Sequence, residues 1–256
     1  MTTAIAKGRV AEASAPPPLV DWRGQAAFIG FEGTLSPLSD HPGDAHLPAR
    51  ERELIEALCN RRDGAVAILS GKALSSLRDI FAGLPVVLSC CHGAEIDIAG
   101  DPRLVPGADV EIARCAQAAR QMADEEGILF ERKAAAIALH HGMKPQIRDR
   151  VVAFIDRLAN DCAELAPLHG RMVSELTARD YSKGTALYQI INHPGFAGRR
   201  PVAVGDDASD ETAIRAARRI GGIGLAIGHH ETEADHVFAS RDDFIRWLRH
   251  SLETAG

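Results

Sequence analysis

The sequence predicts an α/β fold: a twisted, doubly wound and mostly parallel sheet with helices on both faces, plus an inserted α+β domain. Two observations support this prediction. Short, continuous apolar segments end in small or polar residues and alternate with helical patterns, which is typical of parallel strands that are buried on both faces and joined by crossover helices. The middle of the chain breaks this alternation and follows its own order of helix, two strands, helix and strand.

The parallel sheet is predicted from five apolar segments that are separated by turn residues. They are Ala26 to Ile29, Ala65 to Leu69, Val86 to Leu88, Pro201 to Val204 and Ile223 to Ile227. Crossover helices are expected at about 49–62, 72–81, 183–193 and 208–219. A last helix is expected from Asp242 to Leu252, because its apolar residues repeat at the spacing of one helix face.

The inserted domain is predicted at 107–178, which leaves a core domain formed by 21–106 and 179–256 and a flexible tail at 1–20. Within the insert, helices are expected at about 109–126 and 146–165, and strands at Ile128 to Lys133, Ala136 to His141 and Arg171 to Glu175. The tail is predicted from the Ala, Ser and Pro content of the first residues.

Composition and charge narrow the class of protein. The chain has 256 residues, of which 46% are hydrophobic and 25% are charged, as in ordinary globular proteins. The net charge of −6 comes from interspersed residues, so neither nucleic acid nor a membrane surface is an expected partner.

No apolar stretch approaches the ~20 residues of a membrane span, and the N-terminus lacks the apolar segment of a signal peptide. The five cysteines show no CxxC spacing, which predicts reduced thiols in a cytoplasmic protein.

Three aspartates, Asp206, Asp207 and Asp210, are predicted to lie together at the end of one parallel strand. In open α/β sheets, reactive groups gather at such ends. Like charges at this spacing repel one another unless something neutralises them, and Mg²⁺, which prefers oxygen ligands, would do so. The alternative is an acidic helix N-terminus, which the helix dipole favours. Both interpretations stay open on these residues alone.

Two further strand ends carry residues that suit an anion. Lys183 begins a helix, where it could neutralise a phosphate, although a surface lysine is the simpler interpretation. Ser70 and Gly71 offer a hydroxyl group and backbone N–H groups at a helix start, which suits either an anion site or an N-cap. The order of these signals along the chain is more specific than any one of them.

The order of the motifs resembles that of the haloacid-dehalogenase-type (HAD) phosphatases and, within them, the trehalose-6-phosphate phosphatase family. The resemblance covers about Ala26 to Leu252. The matching segments are Phe31 to Pro37, Leu69 to Lys72, His92 to Glu95, Ser182 to Leu187 and Gly205 to Glu211, with Glu131 to Lys133, Ala138 to His140 and Met172 to Glu175 in the insert. This resemblance implies a HAD core with a cap domain, Mg²⁺ as cofactor and trehalose 6-phosphate as substrate.

The resemblance also implies roles for individual residues. The catalytic positions would be Gly30, Glu32, Ser70 and Lys183. The Mg²⁺ ligands would be Glu32, Asp206, Asp207 and Asp210. The substrate would contact Thr34, Gly71, Lys72, His92, Glu95, Glu131, Lys133 and Glu175. Lys72 stands where the family has an arginine, which keeps the charge but loses the bidentate geometry.

The first motif departs from the family pattern at two positions. The family's nucleophilic aspartate, which forms an aspartyl-phosphate and binds Mg²⁺, is Gly30 here, and its acid/base aspartate is Glu32. Because glycine supplies neither a nucleophile nor a metal ligand, impaired catalysis is expected. Glu32 lies two residues away on the same side of a strand, where it could orient a water molecule or bind Mg²⁺.

Three hypotheses about function follow from these residues. In the first hypothesis, the chain is a sugar-phosphate phosphatase with weak or unconventional chemistry. In the second, it is a pseudophosphatase that senses trehalose 6-phosphate or supports a partner such as trehalose-6-phosphate synthase. The third hypothesis is a fold that has lost its ligand. Among the other histidines, His140 and His141 in the insert are predicted to be structural. His41 and His46 are predicted to be loop residues. His229 and His230 are predicted to lie on the solvated surface, although with Glu231 and Glu233 they could bind a metal.

Overall fold

A computed structural model describes residues 9–10, 17–39, 42–61, 64–104, 108–170, 172–228 and 231–254. Most of the predicted tail, together with His41, His229 and His230, lies outside these described residues.

The strands are β1 (Arg9–Val10), β2 (Gln25–Gly30), β3 (Val66–Leu69), β4 (Val87–Cys90), β5 (Glu95–Ile98), β6 (Asp101–Leu104), β7 (Leu129–Arg132), β8 (Ala136–His140), β9 (Leu165–His169), β10 (Val173–Ala178), β11 (Arg200–Gly205), β12 (Ile223–Ile227), β13 (Glu231–Thr232) and β14 (His236–Phe238). The α-helices are α1 (Ala49–Asn60), α2 (Leu74–Ile80), α3 (Ala108–Glu126), α4 (Arg148–Asn160), α5 (Lys183–Ile191), α6 (Asp210–Arg219) and α7 (Arg241–Thr254).

The main sheet has eight strands in the order β14-β12-β11-β2-β3-β4-β5-β6. The strands from β14 to β4 pair in parallel, and β5 and β6 continue the sheet in antiparallel pairing. This arrangement confirms the predicted α/β fold with a mostly parallel sheet. No apolar segment of the sequence predicts β6, because its residues are exposed and include Pro102, which is tolerated in an edge strand.

The central strand β2 contributes to a hydrophobic core on each face of this sheet. Ala27 and Ile29 pack in a core that includes apolar residues of α1, α2 and α7. Ala26 and Phe28 pack on the other face with residues of α5 and α6. Because side chains alternate along a strand, both faces are buried, and each large apolar side chain contributes ~1.5–3 kcal/mol. This double burial holds the carboxyl end of β2, and with it Gly30, in a defined position.

A second sheet has four antiparallel strands in the order β7-β8-β10-β9. Helices α3 and α4 cover one of its faces, where Ile112, Ile137 and Ile155 share a core. This unit lies within the predicted insert, whose limits at 107–178 stay a prediction. The helix predicted at 146–165 is wrong at its C-terminal end, because α4 ends at Asn160 and Leu165–His169 forms β9. Pro167 disrupts a helix interior but is tolerated in the edge strand β9.

Two short strands form a separate two-stranded sheet. Strand β1 pairs antiparallel with β13, with Arg9 opposite Thr232. None of the helices in the described ranges is both long and apolar enough to span a bilayer.

Candidate active site

The carboxyl ends of β2 and β11 lie side by side, which brings the loops that follow them together. Ile29 pairs in parallel with Val204, so Gly30 and Gly205 follow at neighbouring positions. Lys183 is the first residue of α5, whose N-terminus is closed by a capping box. Gly30 also pairs with Leu69 of β3, so Ser70 follows at the same edge. The structure therefore brings the residues after β2, β3 and β11 and the start of α5 to one edge of the main sheet.

A buried ion pair joins Lys183 and Asp210 at this edge. Nζ of Lys183 lies 2.8 Å from Oδ1 of Asp210 and 3.8 Å from Oδ1 of Asp207. The backbone N–H groups of Asp206 and Asp207 donate to Oδ2 of Asp210 at 3.2 and 3.4 Å. Burial alone would lower the pKa of Lys183, but Asp210 and Asp207 raise it. The lysine therefore stays a buried cation at the centre of the site.

Asp206 and Asp207 have different partners. Oγ1 of Thr34 donates to Oδ1 of Asp206 at 3.2 Å, which joins the loops after β2 and β11. Oδ1 of Asp207 accepts from Oγ of Ser209 at 2.7 Å and from the backbone N–H of Asp210 at 3.1 Å. The side chain of Asp207 is 59% exposed, and Lys183 and these hydrogen bonds hold its pKa below the usual range. Asp207 thus fits the interpretation as a helix start, while Asp206 faces the loop after β2.

Gly30 faces the centre of this polar group. A Cβ atom on Gly30 would lie 3.0 Å from both Oδ1 of Asp210 and Oγ1 of Thr34. A Cβ atom on Gly33, which has a φ of +77°, would lie 1.9 Å from Oδ2 of Asp206, so this turn requires glycine. Position 30 is therefore the point from which a side chain would enter the group formed by Thr34, Asp210 and Lys183.

Glu32 and Lys72 form an ion pair next to this group. Nζ of Lys72 lies 3.4 Å from Oε2 of Glu32, and the two side chains are 11% and 35% exposed. Oγ of Ser70 accepts from the backbone N–H of Lys72 at 3.1 Å. The N-cap interpretation of Ser70 is wrong, because α2 begins only at Leu74, after Ala73 as its N-cap residue. Ser70 instead shapes the loop between β3 and α2.

A second charged cluster joins the four-stranded sheet to the main sheet. Nζ of Lys133 lies 2.5 Å from Oε1 of Glu175 and donates to the carbonyl oxygen of Gly71 at 2.7 Å. The other oxygen of Glu175, Oε2, lies 2.6 Å from Nε2 of His92. Burial alone would raise the pKa of Glu175, but Lys133 and His92 lower it. Burial likewise opposes the charge on Lys133, whose pKa Glu175 and Glu131 raise. Lys133 and Glu175 are therefore both charged.

His92 has an unusual backbone conformation and, among the described residues, a ring nitrogen without a hydrogen-bond partner. Its φ of +56° lies in the left-handed region, which costs a non-glycine residue ~1–3 kcal/mol. Its Nδ1 atom is buried and has no hydrogen-bond partner in the part of the chain that the structure describes. A Cβ atom on Gly71 would lie 2.3 Å from Nε2 of His92, so glycine allows the ring to approach. Such outliers and unsatisfied groups are typical of ligand sites.

Glu131 and His140 continue this second cluster. Oε2 of Glu131 lies 3.0 Å from Nε2 of His140 and 4.0 Å from Nζ of Lys133. Burial opposes the ionisation of Glu131, but His140 and Lys133 hold its pKa below the usual value. The structural role predicted for His140 stays a prediction, and this contact with Glu131 was not predicted from the sequence. The alternation of side chains along the strands would have predicted the contact between Glu131 and His140. Glu131 pairs with Ala138, and His140 lies two residues further along the same face of β8.

The same strand pattern separates the polar face of this sheet from its core. Both Glu131 and Glu175 pair with Ala138, so they share its face. Ile137 and Leu139 point the other way, into the core with α3 and α4. His141 fits its predicted structural role, since it is buried with Nε2 at 3.4 Å from Oγ of Ser174 and burial lowers its pKa.

Glu95 has a structural contact outside this cluster. Its carboxylate lies near the backbone N–H of Leu74, the first residue of α2, and near Arg78. Burial raises the pKa of Glu95, an effect that both of these groups oppose. A carboxylate at a helix N-terminus stabilises the helix. The predicted contact between Glu95 and a substrate stays a prediction.

The four carboxylates predicted to bind Mg²⁺ do not form one ligand set. Glu32 pairs with Lys72, Asp210 pairs with Lys183, and Asp207 accepts hydrogen bonds at the start of α6. Among the described residues, no three or more His, Cys, Asp or Glu side chains are grouped to hold a metal ion. Since Mg²⁺ demands oxygen ligands in near-octahedral geometry, the residues present do not fit a complete Mg²⁺ site.

The chain is similar to known proteins over most of its length. The family model for Trehalose-phosphatase matches residues 28–243. The trehalose-6-phosphate phosphatase of Escherichia coli (strain K12) is 32% identical over 226 residues, which cover 87% of this chain and 85% of the relative.

Solved structures share the fold. A crystal structure of a trehalose-6-phosphate phosphatase related protein has a TM-score of 0.73 and 25% identity, and the match covers 89% of this chain and 97% of that protein. A haloacid dehalogenase-like hydrolase from B. subtilis has a TM-score of 0.64 at 16% identity, with 90% and 99% covered. This second likeness is one of fold alone. The predicted HAD-like fold is confirmed.

Proposed function

The chain belongs to the trehalose-phosphatase family, and we propose that it binds trehalose 6-phosphate but hydrolyses it to trehalose and phosphate only weakly. The observation that carries this proposal is the glycine at position 30. Its missing Cβ atom would point at Asp210 and Thr34, so a carboxylate from this position would enter the polar centre of the site. Glycine supplies no nucleophile there.

The phosphate group is assigned to the edge of the main sheet. Lys183 is a buried cation at this edge, and Lys72 adds a second positive charge beside Glu32. Thr34 and Ser70 supply hydroxyl groups on the loops that follow β2 and β3. Lysine binds phosphate as a point charge, so these groups support binding of the phosphate even without a nucleophile.

The sugar is assigned to the polar face of the four-stranded sheet. Glu131, Lys133 and Glu175 present charged atoms there, and His92, in the turn between β4 and β5, adds the Nδ1 atom that lacks a partner among the described residues. Such groups recognise hydroxyl groups by hydrogen bonds, which are stronger when one partner is charged. Because a trehalose 6-phosphate molecule carries both a phosphate and many hydroxyl groups, it would use both clusters at once.

Glu32 is the remaining carboxylate for proton transfer. Without a nucleophile at position 30, a water molecule must attack the phosphorus atom directly. The water oxygen bonds to phosphorus, and the bond between phosphorus and the sugar oxygen breaks. Glu32 accepts the proton of the water and returns it to the departing sugar oxygen. Lys72, 3.4 Å from Glu32, would orient the carboxylate. Loss of a covalent nucleophile reduces kcat by ~10⁶-fold in one well-studied hydrolase, so slow turnover is expected. Although Mg²⁺ supplies charge stabilisation in HAD-type phosphatases, this step uses only residues of the chain.

Gly30 also favours a second function, that of a pseudophosphatase. Such a protein would bind trehalose 6-phosphate without turnover and act as a sensor, or would support a partner such as trehalose-6-phosphate synthase. The retained charged groups of both clusters suit ligand binding as well as they suit catalysis. The partner stays a prediction from the sequence.

Replacing the glycine tests both functions. We expect wild-type protein to bind trehalose 6-phosphate in titration calorimetry and to release phosphate slowly. The double variant Gly30→Asp/Glu32→Asp restores both carboxylates of the family pattern, and its phosphate release with Mg²⁺ should exceed that of wild type by at least ~100-fold. Gly30→Ala is the matched control, because it adds the same Cβ atom without a carboxylate and should stay at the wild-type rate.

Each other outcome has a distinct meaning. If wild-type protein already turns over as fast as the double variant, the inferred impairment is wrong. Binding without any phosphate release selects the pseudophosphatase. Equal rates for wild type and Glu32→Ala would exclude the role of Glu32, and absence of binding would contradict both functions.

A further inference from the structure

Two buried thiols meet in the core of the four-stranded sheet. Cys115 lies in α3 and Cys162 lies just after α4, and their Sγ atoms are 3.4 Å apart although 47 positions separate them along the chain. Both cysteines are free and almost fully buried, with 5% and 2% exposure. A disulfide bond measures ~2.05 Å, so the sulfur atoms must approach by about 1.4 Å, which a small side-chain rotation can provide.

The two thiols differ in their surroundings. Nη2 of Arg114 donates to Sγ of Cys162 at 2.9 Å, and the same guanidinium pairs with Glu111 at 2.9 Å. Burial and the contact with Cys162 raise the pKa of Cys115 to about 12. Reactive cysteines lie next to cations such as arginine. Cys162, which receives the hydrogen bond from Arg114, is therefore assigned as the first nucleophile, and Cys115 is placed to react with it in a second step.

We propose that Cys115 and Cys162 are a site of reversible oxidation, at which a hydroperoxide produces an intramolecular disulfide. The sulfur of Cys162 attacks one peroxide oxygen, and the O–O bond breaks to give a sulfenic acid and water or an alcohol. The sulfur of Cys115 then bonds to that of Cys162 and displaces hydroxide, which leaves as water with the proton of Cys115. Two electrons pass from the thiols to the peroxide, and a dithiol reverses the reaction.

The position of the pair determines what the disulfide changes. It would join α3 to the turn between α4 and β9, and it would restrict the unfolded chain over the 47 positions between the cysteines. Glu131 and Glu175 lie on the opposite face of the sheet from these helices, so their contacts are not altered. Cys162 lies directly after a helix end, where local opening gives a small oxidant access.

Intact-mass and peptide analysis of the full chain tests the proposal. We expect treatment with hydrogen peroxide to remove about 2 Da from the protein and to link the peptide of Cys115 to that of Cys162. The melting temperature should rise by ~5 °C or more, and dithiothreitol should reverse both changes. Variants Cys59→Ser and Cys90→Ser are the controls, and both should still form the link.

Two variants distinguish the roles of the sulfur atoms. In Cys115→Ser, Cys162 should accumulate as a sulfenic acid that dimedone traps. In Cys162→Ser, Cys115 should stay a thiol over the same period. The corresponding alanine variants repeat the test if a serine destabilises the core. The proposal fails if the peroxide links other cysteines, if the mass rises without a link, or if Cys115 of Cys162→Ser reacts as fast as Cys162 of Cys115→Ser.

Discussion

At the scale of single residues, the site depends on glycines that let charged groups approach the backbone. Gly33 accommodates Asp206, and Gly71 accommodates His92. The motifs locate these glycines in the sequence, but the reason for them is a contact with a residue far along the chain. Gly30 differs, because a Cβ atom there would be tight against Asp210 and Thr34 without a severe clash. Packing alone therefore does not require glycine at position 30.

The close approach of Gly71 and His92 can be tested by adding one methyl group. In Gly71→Ala, the new Cβ atom would lie 2.3 Å from Nε2 of His92, so the ring must move away from Glu175. We expect a loss of ~1–3 kcal/mol in the free energy of unfolding, since a buried charged acceptor loses its hydrogen bond. Binding of trehalose 6-phosphate should weaken as well. Urea unfolding and calorimetry measure the two effects.

A control and a double variant separate this contact from a general effect of alanine. Gly43→Ala adds a Cβ atom with nothing within 4 Å and should change stability by less than ~0.5 kcal/mol. In a His92→Ala background, the Gly71→Ala substitution should have little further effect on stability. An undiminished effect in that background would show that the ring is not the cause.

At the scale of secondary-structure elements, the first residue of α7 holds the loop that follows β2. Nη2 of Arg241 donates to the carbonyl oxygen of Leu35 and lies 2.5 Å from Oε1 of Glu51 in α1. The side chains of Arg241 and Glu51 are 18% and 7% exposed. Two helices thereby fix the loop that carries Glu32 and Thr34.

This ion pair predicts a strong coupling between two substitutions. Arg241→Met should reduce the free energy of unfolding by ~3 kcal/mol, because it leaves the buried carboxylate of Glu51 unpaired. The double variant Arg241→Met/Glu51→Gln should lose clearly less than the sum of the single variants. Arg246→Met is the control on the same helix, since its side chain is 71% exposed, and should change stability by at most ~1 kcal/mol. Additive effects in urea unfolding would contradict the coupling.

Elements differ in how well the sequence predicts them, and the reason is physical. Strands β2, β3, β11 and β12 are continuous apolar segments because both of their faces are buried, so local hydrophobicity predicts them. Strands β6 and β9 lie at sheet edges and contain Pro102 and Pro167. Their conformation depends on neighbouring strands rather than on their own composition. Local sequence therefore could not predict them.

At the scale of the whole molecule, the charged cluster around Glu175 connects the two sheets. His92 and Glu175 are 83 residues apart in sequence, yet Nε2 and Oε2 lie 2.6 Å apart. Motif resemblance predicted that both residues contact one substrate. It could not predict that they bind each other, because each would equally satisfy its charge with a ligand or with water.

The lowered pKa of Glu175 predicts how stability depends on pH. Because folding lowers this pKa from its ordinary 4.5, the carboxylate stabilises the fold fully above about pH 4.5, and the stabilisation is lost as the pH falls below that value. Glu175→Gln should therefore be less stable than wild type by ~3 kcal/mol at pH 7. The difference should shrink below pH ~4.5.

Unfolding of both proteins by urea at several pH values measures this difference. Glu53→Gln, which changes an exposed carboxylate of α1, is the control and should stay close to wild type over the whole range. A constant difference between Glu175→Gln and wild type down to pH 3 would show that the charge of Glu175 is not what stabilises the fold.

The contact between Lys133 and the carbonyl oxygen of Gly71 has a consequence for any sugar that enters this region. The groups that would hold its hydroxyls already satisfy one another across the two sheets, so binding is an exchange of partners rather than the filling of an open surface. The apparent affinity is then the intrinsic affinity reduced by the free energy of the internal contacts. A substitution that weakens these contacts without moving the groups themselves, unlike Gly71→Ala, which displaces His92, would make the protein less stable and, at the same time, a tighter receptor.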